Sequence, residues 1–102
     1  MSQDKPKTLR ITFLGQAGRE KVDEILERLC RVSNVSPVNI AISGTGPFVA
    51  SFNGRAERNA DIIETMGQQF QQQGDPHYDL PDPAYDVFTD TLCCTLICNN
   101  FK

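Results

Sequence analysis

The first residues that could do chemistry are two glycines and an arginine that follow the first strand pattern. Gly15, Gln16 and Gly18 separate that strand from a helix pattern beginning at Arg19. Unpaired N–H groups and the helix dipole favour a carboxylate or phosphate at a helix start, and arginine could add a bidentate contact. The spacing is neither G-x-G-x-x-G nor a P-loop. An anion-binding loop and a plain glycine turn are both open interpretations.

The cysteines form a second candidate cluster, near the C-terminus. Cys93, Cys94 and Cys98 lie close together in the chain, and Cys30 stands apart from them. Thiolates suit zinc or a thiophilic ion, but only Cys94 and Cys98 approach the spacing of a structural zinc site. In a strand, period two would place Cys94 and Cys98 on one face and Cys93 on the other. We favour packing of Cys94 and Cys98 in the core, with metal binding through all three thiols as an alternative.

Other titratable residues suggest no catalytic site. His77 is the only histidine and lies in a proline-rich segment without a nucleophile nearby in the sequence. Asp75, Asp79, Asp82 and Asp86 match neither a calcium loop nor a fixed acid pair. We expect no catalytic residues, no enzymatic activity and no cofactor. The acidic segment is either solvated or a docking strip for a basic partner.

Composition restricts the classes of partner. A chain of 102 residues fits one domain, and its net charge of −3 gives no long-range attraction to nucleic acid or to an anionic membrane. The sequence contains no apolar run near the roughly 20 residues that a membrane span needs. It also begins without the apolar stretch of a signal peptide. We therefore expect a cytoplasmic protein with thiol cysteines and with neither nucleic acid nor membrane as a partner.

Apolar periodicity indicates the elements that must position these residues. Alternation predicts three strands, the second and third of which are joined by a glycine-rich turn. The strands' apolar residues are Leu9, Ile11 and Phe13, then Val38, Ile40 and Ile42, then Phe48, Ala50 and Phe52. Helical spacing over Val22, Ile25, Leu26, Leu29 and Val32 predicts a helix between the first and second strands.

The remainder of the chain predicts a second helix and a last strand. The helix is expected to direct Ala56, Ala60, Ile63, Met66 or Gly67, and Phe70 inward, with Arg55, Glu57, Arg58, Asp61 and Glu64 outward. Proline, glycine and aspartate then predict an irregular connection over residues 71–86. A final strand is expected at about residues 87–98, with Phe88, Leu92, Cys94, Leu96 and Cys98 on one face.

The order β-α-β-β-α-β predicts an α+β fold of the ferredoxin-like type. In that sandwich, a four-stranded antiparallel sheet carries two helices on one face. We expect residues 8–102 to form this single domain behind a flexible N-terminus of residues 1–7.

Three segments carry a resemblance to a known family. Residues 9–15 (LRITFLG), 38–44 (VNIAISG) and 48–54 (FVASFNG), followed by Ile62, Ile63 and Met66 in the second helix, resemble the NIL domain. The likeness extends over roughly residues 8–70. NIL domains are ferredoxin-like regulatory modules related in shape to ACT domains, best known as methionine sensors of bacterial transport ATPases. The resemblance implies a dimer that binds a small ligand, with Gly15, Asn39 and Ile40 at the matching positions.

These observations predict a non-enzymatic regulatory module that binds a small, methionine-like ligand as a homo-oligomer. Its expected ligand-binding residues are Gly15, Gln16, Gly18, Arg19, Asn39 and Ile40. The alternative is a protein-interaction factor, an adaptor or inhibitor that uses the acidic C-terminal third and the sheet face opposite the helices. That face is expected to bear Arg10, Thr12, Leu14, Asn39, Ala41, Val49 and Ser51. Metal binding through the C-terminal cysteines is the third possibility.

Overall fold

The computed structural model describes residues 5–72 and 76–99 as an α+β fold, with two α-helices and a six-stranded mixed sheet. A π-helical turn, Gln68–Gln72, extends the second helix. In chain order the elements are β1 (Thr8–Gly15), α1 (Arg19–Val32), β2 (Ile40–Ser43), β3 (Phe48–Asn53), α2 (Ala56–Gly67), β4 (Tyr78–Asp79), β5 (Ala84–Asp86) and β6 (Thr91–Cys98).

The first three strands form as their alternation predicts, except that β2 begins at Ile40 and Val38 before it is half exposed. β3 lies between β1 and β2 and is antiparallel to both. In this register Leu9 is opposite Phe52 and Ile11 is opposite Ala50, and all four side chains are buried. Because alternate residues face opposite sides of a sheet, this face forms the core with the helices.

The expected four-stranded antiparallel sheet is wrong in strand number and in direction. β6 is parallel to β1, with Ile11 opposite Cys94. The reason is an additional hairpin after α2, in which β4 and β5 form a broken edge strand antiparallel to β6. The chain then reverses, so β6 lies between that edge and β1. The connection expected to be irregular over residues 71–86 thus contains two short strands.

The last strand is also shorter than expected, because it begins at Thr91 rather than at residue 87. The preceding residues form a turn in which the Asp86 carboxylate accepts a hydrogen bond from the Phe88 N–H, at 3.0 Å. Asp90 has a positive φ of 49° in this turn. Phe88 is 96% exposed, so its expected place on the core face is wrong.

The two helices differ in how well their buried faces follow hydropathy. α1 buries Val22, Ile25, Leu26 and Leu29 as predicted, whereas Val32 is half exposed. α2 is rotated relative to the prediction, and its buried residues are Arg58, Asn59, Ile62, Thr65 and Met66. The expectation that Arg58 points outward is therefore wrong. Backbone carbonyls that accept hydrogen bonds from the Arg58 and Asn59 side chains make this rotation possible.

The chain packs against the domain before β1 begins. Pro6 is fully buried, and its carbonyl accepts a hydrogen bond from Asn59 Nδ2 at 2.9 Å. The Lys7 carbonyl accepts one from the Gly54 N–H at 2.8 Å. The expected flexible N-terminus thus concerns at most residues 1–4, which lie outside the described residues.

Within residues 5–72 and 76–99, neither helix has the length and apolar character that crossing a membrane requires.

Candidate binding groove

Gly15 and Gln16, two of the predicted ligand residues, pack against the end of β6. The Gln16 N–H donates to the Cys98 carbonyl at 2.8 Å. Gly15 has a φ of 81°, and a Cβ there would lie 2.2 Å from that same carbonyl oxygen. The glycine is therefore required for the close approach of two strand ends. One of the N–H groups expected to bind an anion is already used within the protein.

Gly18 and Arg19 begin α1, and their polar groups also have internal partners. Gly18 is the N-cap, and its carbonyl accepts a hydrogen bond from the Val22 N–H at 3.0 Å. Arg19 Nε lies 3.1 Å from Asp23 Oδ1, one helical turn along. The charge that we expected to attract a carboxylate is thus paired on the same helix.

The other two predicted ligand residues lie at the opposite end of the sheet. The Asn39 carbonyl accepts from the Asn53 N–H at 3.3 Å, and Asn53 pairs with Thr8 at the start of β1. Gly15 is the last residue of β1, so it lies about 23 Å from Thr8 at ~3.3 Å per residue. The six predicted residues therefore do not form one site. Ile40 belongs instead to a groove that the sequence did not predict.

This groove lies between α1 and β2, at the edge of the sheet. It has a volume of about 590 Å³ and is lined by Asp23, Leu26, Glu27, Cys30, Arg31, Val35, Pro37, Ile40 and Ile42. Leu26 and Cys30 are buried and Ile40 and Ile42 are half-buried, whereas the three charged side chains are exposed. The groove thus has an apolar floor and a charged wall on one side.

The backbone of β2 is unpaired on its outer edge, since β3 is its only neighbour among the described strands. The Asn53 N–H donates to the Asn39 carbonyl, so these two residues form a hydrogen-bonded pair. Along an antiparallel ladder, such pairs alternate with pairs that exchange no hydrogen bond. Ala41 and Ser43 then bond to β3, and the N–H and C=O groups of Ile40 and Ile42 point outward. The residues that line the groove with their side chains therefore also present the outward backbone groups.

The charges on the α1 wall are compensated within the helix. Arg31 pairs with Glu27, and Arg19 pairs with Asp23, each across one turn. All four side chains are more than half exposed, so each pair contributes only ~0.3–0.5 kcal/mol. No charge of this wall is left without an opposite charge on the same helix.

The Cys30 thiol in the groove floor is poorly reactive. Burial raises its pKa above the ordinary value of 9.0, and the positive charge of Arg58 opposes part of this rise. The thiolate is the nucleophilic form, so a raised pKa keeps the thiol protonated near neutral pH. Cys30 therefore serves as an apolar floor residue.

The C-terminal cysteines are divided between the two faces of β6, as the alternation predicts. Cys94 and Cys98 are buried in the core, and Cys93 is partly exposed on the other face. Burial raises the pKa of both core thiols to about 11. Among the described residues, no three His, Cys, Asp or Glu side chains are grouped as a metal site would need.

Two further predicted surfaces, the sheet face opposite the helices and the acidic edge, are at least partly exposed. Opposite the helices, Arg10, Leu14 and Ala41 are exposed, with Leu14 37% accessible, while Thr12, Val49 and Ser51 are half-buried. Asp79, Asp82 and Asp86 are exposed along the β4 and β5 edge. Asp75 lies outside the described residues. His77 is in the turn before β4, and its carbonyl accepts from the Asn99 N–H at 2.8 Å.

Sequence reasoning identified only Ile40 among the groove residues. The available signal was the alternation of Ile40 and Ile42 next to Pro37. It predicted a strand, but it did not show that this strand lies at the edge of the sheet. Strand order depends on pairings distant in sequence, so local periodicity could not reveal the groove.

Comparisons with family models, curated proteins and solved structures gave no match to this chain.

Proposed function

We propose that this protein is a non-enzymatic interaction module that binds an extended segment of a partner protein along β2. The observation that carries this proposal is the double role of Ile40 and Ile42. Their side chains line the groove, and their backbone groups face outward from the same strand. The proposed partner segment pairs with that edge and places its apolar side chains in the groove.

The proposed mode separates affinity from selectivity. Backbone hydrogen bonds along an added strand contribute affinity for any extended chain, while side-chain pockets distinguish sequences. Every second residue of the added strand would face the groove. The preferred ligand is thus a short segment with apolar residues at alternate positions, without a proline where its N–H must pair.

The paired charges support a peptide rather than a free anion as the ligand. A carboxylate at residues 15–19 would compete with Asp23 for Arg19 and with the Cys98 carbonyl for the Gln16 N–H. On a single copy of the chain, a peptide strand at β2 displaces only water from the outward backbone groups. The cost of ligand binding is therefore lower along β2 than at the glycine loop.

A methionine-like amino acid is the second candidate ligand, which would make the protein a metabolite sensor. The groove volume favours it, since about 590 Å³ lies within the ~300–1,000 Å³ usual for small-molecule sites. The unbranched side chain of such a ligand would contact Leu26, Cys30 and Ile42. Its ammonium and carboxylate would have to separate the ion pair of Glu27 and Arg31.

The remaining expectations from the sequence are either kept as parts of this proposal or left as alternatives to it. The order from β1 to α2 supports a ferredoxin-like and NIL-like regulatory module, to which the final hairpin is an addition. We keep a cytoplasmic location and a homo-oligomeric state as parts of the proposal. Docking through the exposed sheet face or the acidic edge stays an alternative, whereas metal binding is disfavoured because the described residues bring no three ligating side chains together.

The test is selection of random ten-residue peptides on the immobilised protein, followed by NMR titration of the recovered peptides. We expect apolar residues at alternate positions and protection from hydrogen exchange at the Ile40 and Ile42 amides. Ile42→Glu places a charge in the groove and should reduce affinity at least tenfold. Ser43→Glu is the matched control, because Ser43 is exposed on the other face of the same strand.

The same titration distinguishes the alternatives. L-methionine shifting groove resonances in the wild type but not in Ile42→Glu would favour the sensor. Peptides that shift Thr12 and Val49 would identify the sheet face as the binding surface. Equal affinity of Ile42→Glu and Ser43→Glu for the selected peptides would overturn the proposal.

A further inference from the structure

We infer that, without a partner protein, a second copy of this chain covers the groove, with two β2 strands paired antiparallel about a two-fold axis at Ala41. The inference rests on the proposed function in one respect, because both place an added strand at the same groove. It adds a regulatory consequence, because a partner segment must then displace the second copy. Four observations support it.

The first observation is the contrast between the two edges of the sheet. The edge formed by β4 and β5 is broken into strands of two and three residues, with Pro81 and Pro83 between them and exposed aspartates along it. Short strands, prolines and charges are the means by which proteins prevent edge pairing. β2 is also short, with the four residues Ile-Ala-Ile-Ser, but it contains no proline and no charged residue. Its edge is therefore suited to pairing.

The second observation is that the outward backbone groups of β2 are self-complementary. Ile40 and Ile42 lie symmetrically on either side of Ala41. With Ala41 opposite Ala41 of the second copy, Ile40 is opposite Ile42 of that copy. Each such pair exchanges two backbone hydrogen bonds. No other antiparallel register centred on a residue of this strand satisfies both isoleucines at once.

The third observation is the apolar floor. In the same register the isoleucines of both copies lie on the helix side of the joined sheet. Each groove therefore receives an isoleucine side chain from the other copy, next to its own Leu26 and Val35. Half-buried apolar area is removed from water in both copies, which favours association.

The fourth observation is the charge order on α1. Asp23, Glu27 and Arg31 recur at intervals of four along the groove wall, with Glu27 at the centre. A two-fold axis makes the two α1 helices antiparallel, and an axis that passes at the level of Glu27 would place Asp23 of each copy opposite Arg31 of the other. Glu27 is opposite its own equivalent, but Arg31 of the same helix already compensates its charge. The outer charges are thus complementary between copies.

The experiment is sedimentation velocity over a range of concentrations, with charge-reversed variants. We expect the wild type to form a dimer. Asp23→Arg and Arg31→Asp each create two like-charge contacts and should weaken self-association at least tenfold. An equimolar mixture of these two variants restores both attractions and should form a 1:1 heterodimer. Glu24→Arg is the matched control, since Glu24 is exposed on α1 but does not line the groove.

Ala41→Lys provides a second disruption without altering α1, because it brings two lysines together at the axis. Circular dichroism establishes that each variant is folded. A wild type that is monomeric at every concentration, or a dimer unaffected by these changes, overturns the inference. Peptide capture by a monomeric wild type would leave the proposed function intact. A charge-sensitive dimer whose Ile42→Glu and Ser43→Glu variants bind selected peptides equally would overturn only the proposed function.

Discussion

The guanidinium carbon of Arg58 lies 5.4 Å from the ring centre of Phe52, beneath the groove and inside the domain. Arg58 is only 6% exposed and donates a hydrogen bond to the Val38 carbonyl, just before β2. Its Nε has no hydrogen-bond partner among the described residues. Burial lowers the pKa of the guanidinium from the ordinary value, with a smaller contribution from Arg55. A buried cation thus connects α2 to the chain that leads into the groove's edge strand.

Replacing this cation should loosen the groove as well as destabilise the fold. Arg58→Met leaves the Val38 carbonyl without its donor, so we expect the free energy of unfolding to fall by about 1–3 kcal/mol in urea titrations. Relief of the buried charge limits the loss. Hydrogen exchange at the Ala41 and Ser43 amides, which bond to β3, should become faster. Arg55→Met, at an exposed position three residues earlier, should change stability by less than about 0.5 kcal/mol.

Equal stability of the two methionine variants would show that the Arg58 contacts contribute nothing. An unchanged exchange rate at β2 in Arg58→Met would show that Arg58 does not hold the strand in place.

The Asn59 amide joins three parts of the chain, and its loss should be costly. The fully buried Nδ2 group donates to the carbonyls of Pro6, Lys7 and Phe52 at 2.9, 3.1 and 3.3 Å. Asn59→Ala leaves these acceptors without their common donor, so we expect a loss of about 1–3 kcal/mol in thermal or urea unfolding. Asn59→Asp should cost more, because it directs carboxylate oxygens at carbonyl oxygens.

The pH dependence of Asn59→Asp provides a check on this interpretation. The carbonyls that face Nδ2 would raise the pKa of its carboxyl group in the folded state, since only the protonated form can donate to them. Arg58, whose Nη2 lies 3.5 Å from Asn59 Oδ1, would oppose part of this rise. The folded state then binds more protons, so stability relative to wild type should rise as the pH falls from 8 to 5. A flat difference over this interval would contradict the proposed geometry.

Much of the fold was predictable because β1 and α1 are dominated by apolar periodicity. α2 shows the limit of that reasoning, since hydropathy places Arg58 on the outside and does not mark Asn59 as a core residue. Their burial depends on carbonyls at Pro6, Val38 and Phe52, which are distant in sequence. The direction of β6 was unpredictable for a similar reason. The two short strands of the added hairpin carry too few residues to show an alternation.

The candidate site was less predictable than the fold. The glycine loop was predicted as a candidate site because glycine next to a helix start is typical of anion sites. In the structure Gly15 serves a close approach to Cys98, a backbone contact that sequence spacing does not reveal. The groove instead consists of ordinary apolar residues whose significance comes from the edge position of β2.

The two loop glycines should respond very differently to the same substitution. Gly15→Ala combines a φ of 81° with a Cβ 2.2 Å from the Cys98 carbonyl oxygen, so one strand end must move. We expect a loss of about 2 kcal/mol or more in urea unfolding. Gly18→Ala meets no atom within 4 Å and should cost less than about 1 kcal/mol, as an N-cap replacement. Similar losses at both positions would contradict this account.

The buried thiols should make the fold sensitive to alkali. The pKa of Cys94 is raised by burial and by Cys93, and that of Cys98 by burial, from 9.0 to about 11 in each case. Between these values the folded state holds protons that the unfolded state has lost. The contribution of these thiols to the free energy of unfolding should therefore be constant below pH 8 and fall as the pH rises from 9 towards 11.

Cys94→Ala should make this decline shallower, because one of the three buried thiols with a raised pKa is removed. The adjacent Cys93→Ala is the matched control and should reduce the slope less, because it keeps both core thiols and removes only the smaller, Cys93 contribution to the raised pKa of Cys94. Urea titrations at intervals between pH 7 and 11 measure the slope. Equal slopes for the two alanine variants would contradict the burial of Cys94. Thiol modification at pH 8 should label Cys93 first in the folded protein, and Cys94 and Cys98 only as the domain opens.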